Sequence, residues 1–150
     1  MTKPSILTPR QARILAIAEG WIGTPYRHQA SLRGVGCDCL GLVRGIWREL
    51  YGREPEQAGP YQPDWAEVAG AERLLDAALR HFGPALPNGE GRPGDVLLFR
   101  WREGSAARHL GILAPSGRFI HAYERGAVIA SPLASAWARR IAFTFRFPEI

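Results

Sequence analysis

The stretch GCDCLGLVRGIWRELYG, residues 36–52, carries the clearest structural signal in the sequence and contains both of its cysteines. Apolar side chains recur in it at the spacing of one helix face, which predicts a helix over residues 38–51. These side chains are Leu40, Val43, Trp47 and Leu50. Gly52 follows as the residue expected to end the helix. Cys37 therefore lies just before the predicted helix and Cys39 lies in its first turn.

The two cysteines permit several interpretations. A disulfide between them is disfavoured, because residues two apart on a helix do not face each other and the ring would be strained. A structural zinc site would need His109 and His121 to complete a set with Cys37 and Cys39, and Cys-x-Cys is an irregular spacing for zinc. Two further interpretations remain. Both thiols could be small buried side chains of the core, or one of them could be a nucleophile.

The nucleophile interpretation depends on the position of Cys39. With Asp38 as the N-cap, Cys39 occupies the first helical position, where the helix dipole and unpaired N–H groups lower the pKa of a thiol. Gly41 is predicted to leave room for the backbone of a substrate. Cys37 is then a bystander in the loop that enters the helix, and Cys37→Ser is expected to leave activity largely intact.

Helices are also predicted on both sides of this stretch. Thr8, Pro9 and Gln11 form a capping signal before an apolar stripe that reaches Trp21. A second capping box, Asp64 with Glu67, opens a helix that runs to about Phe82. The segments at residues 53–63 and 84–94 are rich in proline and glycine and are predicted to be irregular loops, which offer surface for docking.

From Asp95 onward the pattern changes to short apolar runs separated by turns, which predicts strands. The runs are DVLLFRW, RHLGILA, RFIHAYE, AVIAS and RIAFTFRF, with a short helical piece at residues 134–138 before the last. Helices first and hairpin-linked strands second predict an α+β fold, with N-terminal helices packed on a mostly antiparallel sheet of about five strands. Residues 1–150 are expected to form a single domain.

Two of the predicted strands carry histidines that bear on Cys39. His109 begins the run RHLGIL, and His121 lies in RFIHAY, the next strand along the chain. An imidazole held on a rigid strand opposite a helix terminus is the partner that a thiol nucleophile needs. Adjacent antiparallel strands would bring His121 beside His109, where it would orient the base as the third group of a triad does. Taken alone, a strand histidine such as His109 is more often an ordinary surface or core residue, and for His121 a partly exposed strand residue is an equally plausible interpretation.

The composition restricts the class of partner. The 150 residues include 19 Lys+Arg and 14 Asp+Glu, which gives a net charge of +5. This excess favours an anionic surface such as a cell wall, but the arginines are scattered, so no nucleic-acid partner is predicted. No apolar run approaches the roughly 20 residues of a membrane span. The N-terminus lacks the apolar region of a signal peptide, which predicts synthesis in the cytoplasm without a secretion signal.

Together these segments resemble the NlpC-type cell-wall peptidases, a branch of the papain-like cysteine peptidases. The family's Asp-Cys-Ser-Gly-Leu-Val pattern is matched by DCLGLV at residues 38–43. Its His-x-Gly-Ile strand is matched by HLGI at residues 109–112, and its Ile-His-Ala strand by IHA at residues 120–122. GTPY at residues 23–26 and PGD at residues 93–95 also match. The resemblance covers nearly the whole chain in the expected order and implies the papain-like NlpC fold.

The resemblance also implies roles for individual residues. Cys39 corresponds to the nucleophile, His109 to the general base and His121 to the residue that orients the base. Tyr26 corresponds to a tyrosine that lines the substrate or oxyanion site, and Asp38 to an aspartate that holds a substrate amine. No metal and no cofactor are implied. The implied activity is hydrolysis of peptidoglycan stem peptides at the bond between γ-D-glutamate and the following diamino acid.

One position departs from the family pattern. Leu40 stands where the family usually has serine, which removes a hydroxyl from the pocket wall. Together with the stretches RGIWRELYGREP and RFIHAYERGAV, this leucine makes the sequence resemble the subgroup found in tail modules of bacteriophages and phage-derived gene transfer agents. This implies a protein carried on a phage-like tail beside other tail proteins and active in the envelope of the recipient cell. The alternatives are a structural tail component that uses the fold mainly for docking, and a cytosolic wall-recycling peptidase.

Overall fold

The computed structural model describes residues 6–55 and 72–149 of the chain. In chain order, the described elements are α1 (Pro9–Gly20), β1 (Ser31–Leu32), β2 (Gly36–Cys37), α2 (Cys39–Tyr51), α3 (Arg73–Phe82), β3 (Val96–Phe99), β4 (His109–Ala114), β5 (Arg118–Ala122), β6 (Val128–Pro132), α4 (Ser135–Ala138) and β7 (Ile141–Phe145). The capping box predicted at Asp64 and Glu67 lies outside the described residues. No helix within those residues has the length and apolar character needed to cross a membrane.

Helix α1 begins at the capping box that the sequence predicted. The Thr8 hydroxyl accepts a hydrogen bond from the N–H of Gln11 at 3.1 Å, and the Gln11 side chain accepts one from the N–H of Thr8 at 2.9 Å. Both bonds satisfy N–H groups that the start of a helix leaves unpaired. The helix places Ile14, Leu15 and Ala18 in the core.

Helix α2 begins and ends where the sequence predicted. Its N-cap is Asp38, and Gly52 ends it with a left-handed φ of 79°, a conformation that glycine adopts at little cost. The helix lies close to the end of α1, because a Cβ at Gly45 would be 2.0 Å from the ring of Trp21. Gly45 therefore allows the buried indole to pack directly against the backbone of α2.

A short hairpin that the sequence analysis missed precedes α2. Strands β1 and β2 pair Ser31 with Cys37 and Leu32 with Gly36. Strands of two residues contain too little alternation to be recognised in a sequence. The hairpin places Ala30 against the beginning of α2, where its carbonyl oxygen lies 3.3 Å from the backbone nitrogen of Asp38.

The five longer strands form one sheet in the order β6-β5-β4-β3-β7. Every neighbouring pair in it is antiparallel. From β3 to β6, each strand pairs with the strand that follows it in the sequence. The last strand, β7, pairs with the free edge of β3. The predicted α+β class, with helices that precede an antiparallel sheet of five strands, is confirmed.

The sheet separates two apolar clusters. Val96 and Leu98 of β3 belong to the main core, which also contains the buried faces of α1, α2 and α3. Leu97 and Phe99 alternate with them and join a smaller cluster against which Trp137 of α4 packs. This alternation is what a strand with two buried faces requires. The smaller cluster bears on function because its aromatic rings also contact the two histidines of the candidate site.

Candidate active site

One cleft brings together most of the residues to which the sequence analysis gave a role. It opens at the N-terminus of α2 and extends across the beginning of β4 and the end of β5. The side chains that line it are Tyr26, His28, Asp38, Cys39, Leu40, Leu74, Trp101, Arg108, His109, Ala122 and Glu124. His121 is buried behind His109 and does not itself line the cleft. The catalytic and substrate roles of these residues stay predictions.

Cys39 is the first residue of α2, as predicted. Its thiol donates a weak hydrogen bond to the carbonyl oxygen of Arg108, with 3.8 Å between sulfur and oxygen. Burial, and secondarily the negative charge of Asp38, raise the pKa of this thiol to about 12. The prediction of a lowered thiol pKa is therefore wrong, because desolvation outweighs the backbone N–H groups of Leu110 and Leu40, which act to lower it. At neutral pH Cys39 is a thiol, and it needs a base to ionise.

His109 and His121 form a hydrogen-bonded pair. Nε2 of His109 lies 2.9 Å from Nδ1 of His121, and the rings meet edge to face with their centroids 5.1 Å apart. His109 lines the cleft, whereas His121 is only 1% exposed. Since this bond engages Nε2 of His109, Nδ1 is the nitrogen left to act as a base toward the cleft.

Aromatic side chains surround the histidine pair. Trp101 stacks on His109 with 5.5 Å between centroids, Phe119 stacks on His121 at 4.2 Å, and Trp137 contacts both imidazoles. Burial is the main cause that lowers the pKa of His109 to about 3 and the pKa of His121 to about 4. Both imidazoles are therefore neutral at pH 7, so that each has one ring nitrogen without a proton.

The carboxylate of Asp38 is engaged by the backbone of its own chain. Oδ1 accepts a hydrogen bond from the N–H of Gly41 at 2.7 Å, and Oδ2 accepts one from the N–H of Gln29 at 2.8 Å. Nδ1 of His28 lies 3.8 Å from the same Oδ2. Asp38 thus fastens the loop before β1 to the N-terminus of α2. It is 3% exposed, and its contact with a substrate amine stays a prediction.

Tyr26 lies in the cleft with its backbone held on both sides. Its N–H donates to the carbonyl of Gly126 at 2.9 Å, and it forms an isolated β-bridge with Cys37. Burial, followed by the charges of Cys39 and Asp38, raises the pKa of its phenol. The phenol is therefore a neutral O–H donor at pH 7, which is the state in which it can bind a substrate oxygen.

Gly41 makes room for its own chain and not for a substrate. A Cβ at this position would lie 1.9 Å from the carbonyl oxygen of Ala30. The hydroxyl of Ser31 also donates to the carbonyl of Gly41 at 2.6 Å. The prediction that Gly41 admits the backbone of a substrate is wrong, because the backbone before β1 already fills that space.

Cys37 belongs to the main core and does not line the cleft. It is 0% exposed, and burial raises the pKa of its thiol to about 12. Its backbone pairs with Pro25 and Arg27 at 3.0 Å each. Both cysteines are free thiols. Within residues 6–55 and 72–149, no group of three or more His, Cys, Asp or Glu side chains is placed to hold a metal ion.

Several features of the site were not predicted. The hydroxyl of Ser131 lies 2.9 Å from Nε2 of His121. Trp101 covers the ring of His109, and Arg108 and Glu124 put opposite charges on the wall of the cleft. In the sequence these are a serine in a short strand and scattered aromatic and charged residues. Their place in the site could not be predicted, because it depends on contacts between strands that are distant in the sequence.

The sequence is similar to those of known proteins. The profile of the NlpC/P60 family matches residues 23–146. The chain is 29% identical over 131 residues to the Murein DD-endopeptidase MepS/Murein LD-carboxypeptidase of Escherichia coli K12, across 87% of this chain and 59% of that protein. It is 30% identical over 134 residues to the Gamma-DL-glutamyl hydrolase of Bacillus subtilis, across 89% of this chain and 28% of that protein. The chain therefore spans less than two thirds of the length of either relative.

A solved structure confirms the fold. The NlpC/p60 domain of the peptidoglycan hydrolase SagA superposes with a TM-score of 0.61 at 24% identity, across 91% of this chain and 98% of that domain. At this level of identity the likeness concerns the fold alone. The papain-like NlpC fold that the sequence motifs implied is the fold observed.

Proposed function

The chain belongs to the NlpC/P60 family, and from that premise we propose that it is a cysteine endopeptidase that hydrolyses the stem peptides of peptidoglycan. One observation carries the proposal. Cys39, at the N-terminus of α2, shares a cleft with His109, and Nε2 of His109 is hydrogen-bonded to His121. A thiol, an imidazole base and a polar group behind the base are the parts that nucleophilic hydrolysis of an amide requires.

In the first half-reaction the amide is cut and Cys39 becomes acylated. Nδ1 of His109 accepts the thiol proton while Sγ attacks the carbonyl carbon, whose π electrons move onto oxygen. The N–H of Cys39 and the neutral phenol of Tyr26 are the donors that stabilise this oxyanion. The intermediate collapses as the carbon–nitrogen bond breaks, and His109 protonates the leaving amine.

In the second half-reaction water resolves the thioester. The neutral imidazole of His109 takes a proton from water while the water oxygen attacks the thioester carbonyl. The carbon–sulfur bond then breaks, and the leaving sulfur recovers its proton from His109. His121 accepts the Nε2–H of His109 throughout, which stabilises the imidazolium that forms in each step. One water is consumed, and the thiol and imidazole return to their starting states.

We propose the γ-D-glutamyl–diamino acid bond as the bond that is cut. The resemblance of DCLGLV and HLGI to the family motifs supports it, and so does the name of the Bacillus subtilis relative, a Gamma-DL-glutamyl hydrolase. The Escherichia coli relative is named for DD-endopeptidase and LD-carboxypeptidase activities. The identity of the products therefore decides between these bonds.

Digestion of purified peptidoglycan tests the activity and the bond together. The protein is incubated with intact sacculi and, separately, with soluble muropeptides, and the products are identified by mass spectrometry. Cleavage at the proposed bond yields one fragment that ends in γ-D-glutamate and one that begins with the diamino acid. Products cut only at other bonds would overturn the bond assignment, and uncut stems in both substrates would overturn the activity.

We further propose that the enzyme is carried on the tail of a phage-like particle, beside other tail proteins, and acts in the recipient envelope. Leu40 in place of the family serine supports this subgroup, together with RGIWRELYGREP. Three charged residues of that motif form ion pairs: Arg44 and Arg48 bind the carboxylate of Glu54 at 3.0 Å and 2.6 Å. These ion pairs fasten the chain that follows α2 to the helix.

Purification of particles tests the tail proposal. The protein is expected to sediment with particles in a density gradient, where an antibody detects it. Its presence in the cytosolic fraction alone would favour a wall-recycling peptidase. Particles that carry the protein but leave stem peptides uncut would favour a structural tail component.

The rate of hydrolysis is expected to be flat across neutral pH and to fall only in acid. Burial lowers the pKa of His109 to about 3, so the base stays unprotonated well below about pH 6.5, where an exposed histidine is half protonated. Burial raises the pKa of Cys39 to about 12, so the thiol keeps its proton in mild alkali. Values of kcat/KM on a soluble muropeptide between roughly pH 5 and pH 9 measure this. A half-maximal rate near pH 6.5 would contradict it.

The same two histidines make the fold sensitive to acid. In the unfolded chain they bind protons below about pH 6.5, whereas burial in the fold lowers the pKa of both His109 and His121. Their contribution to stability is therefore complete above that pH and is lost as the pH falls toward the lowered values. Thermal unfolding recorded at each pH separates loss of the fold from protonation of the base.

A further inference from the structure

We infer that Ser131 is a positioning residue that sets the tautomer of His121 and, through it, the nitrogen with which His109 acts as a base. The Ser131 hydroxyl oxygen lies 2.9 Å from Nε2 of His121. The other ring nitrogen of His121, Nδ1, lies 2.9 Å from Nε2 of His109. The inference rests on the proposed function and extends it to a residue that does not line the cleft.

Three neighbouring strands hold this series of contacts. His109 begins β4, His121 lies in β5 and Ser131 lies in β6. In the ladder between β5 and β6, His121 pairs with Ile129 and Ser131 pairs with Phe119. Ser131 is therefore a diagonal neighbour of His121 on the same face of the sheet. The register of the backbone, and not a loop, determines the distance between the hydroxyl and the imidazole.

Of the two tautomers that the contacts of His121 allow, one leaves His109 able to act as a base. A neutral imidazole has one N–H donor and one acceptor nitrogen. When Ser131 accepts a hydrogen bond from the Nε2–H of His121, Nδ1 of His121 is the acceptor, and the Nε2–H of His109 donates to it. Neutral His109 then has no proton on Nδ1. That nitrogen is the one that must take the proton of Cys39.

The opposite tautomer would stop the reaction before its first step. With its proton on Nδ1, His121 would donate to Nε2 of His109, and the proton of neutral His109 would lie on Nδ1. A serine hydroxyl can accept from the Nε2–H of His121 because its oxygen carries two acceptor lone pairs. Without that hydroxyl, the Nε2–H of a histidine that is 1% exposed loses its acceptor, and the productive tautomer is disfavoured.

Kinetics of Ser131 variants test the inference. Ser131→Ala is expected to lower kcat on a soluble muropeptide by roughly tenfold with little change in KM, because the hydroxyl acts through the base and does not touch the substrate. Ser131→Thr keeps the hydroxyl and is expected to recover most of the rate. Ser135→Ala removes an exposed serine outside the cleft and is expected to match the parent.

A kcat of Ser131→Ala equal to that of the parent would overturn the inference, and so would failure of Ser131→Thr to recover the rate while it keeps the parent's fold. A parent that cuts no stem peptide would overturn the proposed function instead. The tautomer, which can be measured without activity, then decides the inference.

The ¹⁵N NMR shifts of the His121 ring in the labelled protein give this second readout. The parent is expected to show the Nε2–H tautomer, and Ser131→Ala is expected to show a shift toward Nδ1–H. An Nδ1–H tautomer in the parent would overturn the inference, even if Ser131→Ala failed to fold. An unchanged Nε2–H tautomer in folded Ser131→Ala would overturn it as well.

Discussion

Replacing Cys39 with alanine is expected to abolish cleavage of stem peptides, with a loss in kcat/KM of at least roughly a thousandfold. In the proposed mechanism Cys39 supplies the sulfur that forms the acyl intermediate, and it is the one thiol among the side chains of the cleft described above. His109, the proposed proton acceptor, is expected not to replace the missing nucleophile. The measurement is the rate of product release from a soluble muropeptide, followed by chromatography.

Cys39→Ala is expected to keep the fold, which makes the loss of rate interpretable. The thiol makes only a weak 3.8 Å hydrogen bond to Arg108. The cap that starts α2 is the carboxylate of Asp38, which this change leaves in place. A thermal unfolding midpoint close to that of the parent checks this. Undiminished cleavage by the folded variant would show that Cys39 is not the nucleophile.

Cys37→Ala is the matched control, because it removes the same chemical group on the other side of Asp38. Cys37 is 0% exposed, so its truncation is expected to cost about 1–2 kcal/mol of stability. The rate below the unfolding transition is expected to equal that of the parent. Alanine is the cleaner choice here, since Cys37→Ser would bury a hydroxyl. A large fall in kcat with an intact fold would reopen the question of which sulfur reacts.

Gly41→Ala is expected to lower both stability and activity. The added Cβ would lie 1.9 Å from the carbonyl oxygen of Ala30 and 3.1 Å from Oδ1 of Asp38. A backbone carbonyl cannot rotate away as a side chain can, so the loop or the first turn of α2 must move. The expected loss is at least about 2 kcal/mol, or a decrease in Tm of roughly 4–8 °C for a chain of this size. Activity falls too, because Cys39 lies in the turn that moves.

Gly20→Ala is the matched control for the glycine prediction. A Cβ there would meet only the side chain of Arg33, with its guanidinium nitrogen 3.3 Å away, and a long flexible side chain can move aside. Alanine also has a higher helix propensity than glycine by about 1 kcal/mol, and Gly20 is the last residue of α1. Its Tm is expected to equal or exceed that of the parent. If Gly41→Ala were equally stable, the close approach of Ala30 to α2 would be wrong.

The secondary structure could be predicted because its signals are local. Thr8 and Asp38 accept hydrogen bonds from the N–H of the residue three positions ahead, and Gly52 ends α2 through its own backbone conformation. The strands of the sheet appear as apolar runs between turns. The short hairpin β1–β2 was missed because each of its strands has two residues, which is too few for a pattern.

The sequence by itself determined which groups are available for chemistry and which elements hold them. Cys39 at the start of a helix and histidines on adjacent strands follow from caps and periodicity, which act between residues near each other in the chain. The tertiary structure decided the state of those groups. Side chains from distant segments desolvate Cys39 and His109, and desolvation opposes the charged form of both groups. At Cys39 it outweighs the backbone N–H groups that lower the pKa of the thiol. The partners of Gly41 and His121 were likewise decided by which backbones the fold brings into contact, because such contacts have no signature in a local stretch of sequence.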